Sequence, residues 1–177
     1  MTSDLKQRKY DKAFERYDTD HNGRIDQSDI DAMVEKWCQA LGATPGSAEA
    51  SRLSKLASDM WTQIRQHTDL DTDLAISKDE WASAAQDPRF VDDVAVPFAL
   101  AAFDAADSDG DGRISREEMA KAQTEAGMSD GESREAFDRL DVDHDGYVSR
   151  EEFSKAVREF YLSDDPNAKG NQLAGTL

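Results

Sequence analysis

Residues 141 to 152 read Asp-Val-Asp-His-Asp-Gly-Tyr-Val-Ser-Arg-Glu-Glu, and the rest of the chain is best understood outward from them. Carboxylates stand at the first, third, fifth and twelfth places, as Asp141, Asp143, Asp145 and Glu152. A tightly curled segment that alternates oxygen-bearing side chains with outward ones can present roughly six to eight oxygens to one hard cation of the size of calcium. Gly146 gives the curl its left-handed turn, which a side chain would oppose. Tyr147 offers a backbone carbonyl, Ser149 binds weakly or orients a water, and Glu152 closes the shell from the start of the next helix with both oxygens. Val148 points inward and is expected to pair with a counterpart in a neighbouring loop through a short backbone β-bridge.

This twelve-residue pattern is that of an EF-hand loop, and it recurs three more times. The third copy repeats it with Asp107, Asp109, Asp111, Gly112, the carbonyl of Arg113, Ile114, Ser115 and Glu118. The first has Asp18, Asp20, Asn22, Gly23, the carbonyl of Arg24, Ile25 and Asp26, but ends in Asp29 instead of Glu. That exchange shortens the closing arm by one methylene. Closure through one oxygen lowers the coordination number toward about six and favours tolerance of magnesium at this site. The second copy, Asp69 to Glu80, keeps Asp69, Asp71, Asp73, Ile76 and Glu80 but places Leu74 where glycine belongs. A Cβ in the left-handed region costs about 1–2 kcal/mol. Arg65 also stands where the other units carry Phe14, Phe103 and Phe137. The second loop is therefore expected to be irregular and empty, a structural partner for the first.

A lone Asp-x-Asp-x-Asp run is more simply a solvated turn, but three copies with glycine, inward aliphatic and terminal acid in place reverse that reading. His21 and His144 share the outward fourth place and are expected as exposed turn residues. His67 has no evident partner.

Between the loops, apolar residues recur at helical spacing: Tyr10, Phe14 and Tyr17 before the first, and Ile30, Met33, Val34, Trp37 and Leu41 after it. Leu53, Leu56, Met60, Trp61 and Ile64 mark a helix before the second loop. Met119 and Ala122, then Phe153, Ala156, Val157 and Phe160, follow the third and fourth. The three tryptophans, Trp37, Trp61 and Trp81, read as core residues. Gly42 to Ser47 break the chain after the first unit, and Asp87 and Pro88 mark its midpoint. Gly127 to Gly131 join the third unit to the fourth, with Ser129 and Glu132 forming a capping box. Pro97 starts or kinks the helix before the third loop. The expected fold is all-α: two EF-hand pairs in one compact domain, with short β-bridges between paired loops. Residues 1–87 form the N-terminal pair, 88–162 the C-terminal pair and 163–177 an irregular tail, from which Leu173 and Leu177 could dock.

The 177 residues include 38 acidic against 21 basic, a formal charge of −17. Such a surface repels nucleic acid and anionic membranes. Hydrophobic residues make up 38%, below the usual ~45–50%, yet they recur throughout, and a folded core is expected. Cys38 is the single cysteine, so no internal disulfide forms; it sits at helical spacing from Val34 and Leu41 as a small packed residue. The N-terminus shows no secretory signal and no acceptor glycine for myristoylation. The apolar run Val94 to Phe103 is too short to span a bilayer. The expectation is a soluble cytoplasmic monomer. Neither a phosphate-cradling loop nor a GxSxG or HExxH motif occurs, so catalysis is not expected.

Four helix–loop–helix units, an Asp closing the first loop, an altered second loop and complete third and fourth loops together resemble the calerythrin-like and sarcoplasmic calcium-binding family. The resemblance implies calcium ions at Asp18 to Asp29, Asp107 to Glu118 and Asp141 to Glu152, in an intracellular buffer or transporter. A sensor needs a flexible, methionine-rich groove. Here the large apolar residues are mainly aromatic, the methionines are few and the midpoint connection is short. The expectation is a buffer without an obligatory protein partner; the alternative is a calcium sensor that binds a target.

Overall fold

The structure is a computed structural model, and it describes residues 3–40, 42–125 and 128–173. Leu41, Gly127 and Leu177, singled out above, lie outside the described residues. The chain divides into two units, one of residues 10–90 and one of residues 91–177 together with 1–9.

Helix α1 (Asp4–Tyr17), which enters the first unit at Tyr10, leads through the first loop and strand β1 (Arg24–Ile25) into α2 (Gln27–Ala40). Helix α3 (Ala48–Thr68), β2 (Ile76–Ser77) and α4 (Lys78–Ala85) repeat the arrangement, and the single turn α5 (Pro88–Phe90) follows. Ser47 caps α3 by accepting from the Ala50 amide at 3.1 Å. Strands β1 and β2 pair antiparallel with Ile25 opposite Ile76, both buried, so the two inward aliphatics meet as expected. Trp81 organises the core. Its ring meets Phe14 and Phe90 edge-on at centroid distances of 6.5 and 5.7 Å, and its indole N–H donates to the Tyr10 carbonyl at 3.1 Å.

Two apolar assignments need correction. Leu56 is 40% exposed, because Leu53, Ala57, Met60, Trp61 and Ile64 define the buried stripe of α3 and Ala57 takes the inward place beside Leu56. Met33, Val34 and Trp37 on α2 are only half-buried, so Trp61 and Trp81 are core residues and Trp37 is not.

The second unit begins with a π-helical turn at Val91–Ala95, continuous with α6 (Val96–Ala106). Pro97 occupies the first turn of α6, where its missing N–H costs least, and the wider turn lies just before it. The chain then runs through β3 (Arg113–Ser115), α7 (Arg116–Glu125), α8 (Asp130–Leu140), β4 (Tyr147–Ser149) and α9 (Arg150–Leu162). Ser129 and Glu132 form the expected capping box on α8. In the β3–β4 ladder Ile114 faces Val148. These two join Phe103, Met119, Phe137, Leu140 and Ala156 in one buried cluster. Beyond α9, a 3₁₀ turn at Lys169–Gln172 folds back, and Leu173 packs against this cluster. Lys9, fully buried, donates from Nζ to the Ser163 carbonyl at 3.0 Å, capping the end of α9. Burial lowers its pKa from the ordinary lysine value.

Candidate metal sites

Each loop leaves a helix and enters the next through a serine or aspartate cap, and this fixes the closing carboxylate. Glu118 accepts the Ser108 amide at 2.8 Å and the Ser115 amide at 2.9 Å, one on each oxygen. Glu152 accepts from Val142 and Ser149 at 2.8 and 2.9 Å, and Glu80 from Leu70 and Ser77 at 3.1 and 2.9 Å. Asp29, shorter by a methylene, nevertheless accepts the corresponding Thr19 and Asp26 amides at 2.7 and 2.9 Å. The opening carboxylate is anchored by the sixth residue: the amides of Gly23, Gly112 and Gly146 donate to Asp18, Asp107 and Asp141 at 2.9, 2.9 and 3.1 Å.

These anchors converge the acids. One carboxylate oxygen from each of Asp18, Asp20 and Asp29 lies within 4.8 Å of the others, and the same holds for Asp107, Asp109 and Glu118, and for Asp141, Asp143 and Glu152. The first, third and twelfth places thus meet in three loops. Asp26, Asp111 and Asp145 fall outside these sets. Asp111 and Asp145 instead accept the seventh-place amides of Arg113 and Tyr147, both at 2.8 Å, and Asn22 accepts that of Arg24 at 2.8 Å. Asp26 accepts from the amide of Ser28 at 2.7 Å.

The donor chemistry suits a hard dication. Asp18, Asp29 and Asp141 are 3%, 1% and 5% exposed, and among the described residues no lysine or arginine pairs with any of them. Buried carboxylates without a countercharge are costly, and an oxygen-seeking cation among them removes that cost. At two of the closing carboxylates, Glu118 and Glu152, hydrogen bonding favours the anion. The Ser115 amide, followed by the Ser108 and Ser115 hydroxyls, holds the Glu118 pKa down to about 2, against an opposing effect of burial. Burial likewise pushes Glu152 upward, but the Ser149 amide and hydroxyl and the Val142 amide together bring it below the usual value.

Comparison with known proteins agrees with this geometry. Residues 98–158 match the model of an EF-hand domain pair and residues 10–34 that of an EF hand. A Streptomyces coelicolor calcium-binding protein, whose structure gives a basis for prokaryotic calcium-mediated regulation by that protein, is 30% identical with a TM-score of 0.72, covering 90% of this chain and 99% of its own. The chain belongs to the EF-hand family. Within that family it is similar to calerythrin and to the sarcoplasmic calcium-binding proteins. Calerythrin of Saccharopolyspora erythraea is 25% identical over 142 residues, which are 77% of this chain and 80% of that protein. The sarcoplasmic calcium-binding protein of amphioxus shares the fold, with a TM-score of 0.80 at 18% identity and full coverage of both chains.

Against the other EF-hand loops, the second departs from expectation. It is not irregular. Leu74 adopts φ +70°, close to the +81° to +88° of Gly23, Gly112 and Gly146, and Thr72 at φ +60° matches His21 and His144 at +58° and +59°. The Leu74 amide still reaches Asp69, at 3.3 Å. Pairing with β1 and the Ser77–Glu80 capping box hold the backbone in place despite the Cβ. Its convergent acids are Asp69, Asp71 and Asp73, without Glu80. His21 and His144 are exposed, as their place in the loop predicts.

Three features went unread in the sequence. The serine at each ninth place, Ser77, Ser115 and Ser149, donates its hydroxyl to the closing Glu at 2.7, 2.8 and 2.8 Å, a role legible from the Ser-x-x-Glu spacing. At the second place, the Thr19 and Ser108 hydroxyls reach Asp29 and Glu118, both at 2.8 Å. Arg24 hydrogen-bonds Asp73 in the second loop, 49 residues away, which no local pattern announces.

Proposed function

We propose that the protein is an intracellular, cytoplasmic calcium buffer or transporter that binds one ion in each of its first, third and fourth loops. The observation that carries this reading is the convergence of first-, third- and twelfth-place carboxylates in those three loops, with Asp18 and Asp29 of the first and Asp141 of the fourth buried and, among the described residues, unpaired with any lysine or arginine. The ligands would be Asp18, Asp20, Asn22, the Arg24 carbonyl, Asp26 and Asp29; Asp107, Asp109, Asp111, the Arg113 carbonyl and Glu118; and Asp141, Asp143, Asp145, the Tyr147 carbonyl and Glu152. Magnesium would compete chiefly at the first site, where the closing arm is short.

Buffering is favoured over sensing by the distribution of apolar surface. Among the described residues the exposed large hydrophobics are Leu56, Leu70, Leu74 and Val142, three of them at loop positions, and they form no groove of the kind a target helix needs. The regulatory setting of the Streptomyces coelicolor relative supports the second reading, a calcium sensor. No helix among the described residues is long and apolar enough to cross a membrane.

Calorimetric titration of the chelator-stripped full chain, with and without magnesium, tests the stoichiometry, and a hydrophobic-probe dye tests the role. Three ions bound with unchanged or falling dye fluorescence is the expected result. Failure to bind calcium would overturn the proposal, and dye uptake on calcium addition would replace buffer by sensor.

A further inference from the structure

Arg24 and Arg113 hold the same seventh place in the first and third loops, and each faces a serine of the partner loop, Ser77 and Ser149, in a two-stranded ladder. Their side chains end differently. The Arg113 guanidinium lies over the Tyr147 ring, 4.1 Å from its centroid, with Asp111 at 3.4 Å and Asp145 at 3.9 Å. Tyr147 is the seventh residue of the fourth loop; the seventh of the second loop is Ala75, which offers no ring. The Arg24 guanidinium hydrogen-bonds Asp73, the fifth-place acid of the second loop, whereas Arg113, stacked on Tyr147, comes no nearer than 3.9 Å to Asp145, the fifth-place acid of the fourth.

Asp73 is one of the three acids that converge there, and beside it the buried Asp69 Oδ1 has no hydrogen-bond partner. The first, third and fourth loops each bring their twelfth-place acid into the set; the second brings in the arginine-bound Asp73. We propose that Arg24 is the resident cation of the second loop: its guanidinium occupies Asp73 in place of a dication and so keeps an otherwise well-formed EF-hand loop from binding calcium. A dication approaching Asp69 and Asp71 meets a fixed positive charge within a few ångströms, and Asp73 must release a charge-assisted hydrogen bond before it can turn to the ion. The choice between stacking and intrusion is made at one position, Ala75 against Tyr147.

This inference rests on the three-ion reading above. The full chain and the variants Arg24→Gln and Arg8→Gln, stripped with chelator, are titrated with calcium chloride by calorimetry, while nuclear magnetic resonance follows the Leu74 amide. Arg8→Gln removes the same charge from an exposed pair with Asp4 in the first turns of α1, outside every loop. The expected result is three ions for the parent and Arg8→Gln. Arg24→Gln takes a fourth, at least tenfold tighter than any fourth binding by the parent, with a saturating shift of the Leu74 amide, which donates to Asp69. Three ions in both the parent and Arg24→Gln would overturn the role of Arg24 while leaving the calcium reading intact; a parent that binds none would overturn that reading itself. A fourth ion in Arg8→Gln would also overturn the inference, since net charge would then be the cause.

Discussion

Gly170 lies so close to helix α9 that a Cβ built on it would fall 2.0 Å from the carbonyl oxygen of Ala156 and 2.9 Å from the Phe160 nitrogen. The need for glycine here is steric, since the obstacle is helix backbone, which cannot swing aside as a side chain can. Around this contact the tail is tied down: Asn171 is buried and donates to the Asp165 and Pro166 carbonyls at 3.1 and 2.9 Å, and the Gly170 amide reaches Glu159 at 3.3 Å.

Gly170→Ala should therefore lift the 3₁₀ turn off α9 and take Leu173 from the cluster beneath it. The expected loss is about 1–3 kcal/mol, the range for forcing a carbon into a packed interior. Gly131→Ala, at a helical glycine with open space around its Cβ, is the control. Urea melts give the stability, and trypsin cleavage after Lys169 reports detachment. Equal melts and equal cleavage for the two variants would show that the tail carries no such contact.

Much of the fold was legible because the ion-binding loop is a local device. Its acids, its left-handed sixth residue and its inward aliphatic all lie within one short segment, so Asp107 to Glu118 and Asp141 to Glu152 could be placed without tertiary knowledge. Loop two shows where this fails: Leu74 predicts an irregular turn from its own conformational preference, but the β1–β2 ladder and the Ser77 cap outweigh about 1–2 kcal/mol of local strain. Lys9, Arg24 and Gly170 were illegible for a related reason. Their partners, Ser163, Asp73 and Ala156, are set by packing between distant segments, to which periodicity is blind. Leu56 and Ala57 differ by one helical step, and small residues on an apolar face are easily passed over.

The hydrogen bonds that hold Glu118 as an anion make metal-free stability depend on pH. Its folded pKa of about 2 lies below the ordinary 4.5. The sign follows from proton uptake: the unfolded chain binds the proton first, so the stabilisation is complete above the unfolded value and is lost as pH falls from about 4.5 toward about 2. Glu118→Gln cannot ionise and lacks this dependence. Chelator-treated parent and variant, melted in urea at several pH values, should differ by a constant amount above pH ~5 and converge in that acid window. A gap that widens on acidification would contradict the assignment.

Asp29 decides how the first site tells ions apart. It is 1% exposed and already receives the two amides, from Thr19 and Asp26, that a longer Glu receives in the third loop. With its carboxylate drawn toward the backbone by that shorter arm, it is placed to offer an ion one oxygen, which suits the six-coordinate geometry magnesium demands. Asp29→Glu lengthens the arm and should allow two-oxygen closure. Calcium affinity at this site should rise about tenfold while magnesium competition weakens, since magnesium tolerates expansion of its shell poorly. The added methylene enters a buried position, so the metal-free protein should lose about 1 kcal/mol or more. Competition calorimetry, with calcium titrated into magnesium-saturated parent and variant, measures the selectivity directly. Unaltered magnesium competition in Asp29→Glu would show that arm length does not set the preference.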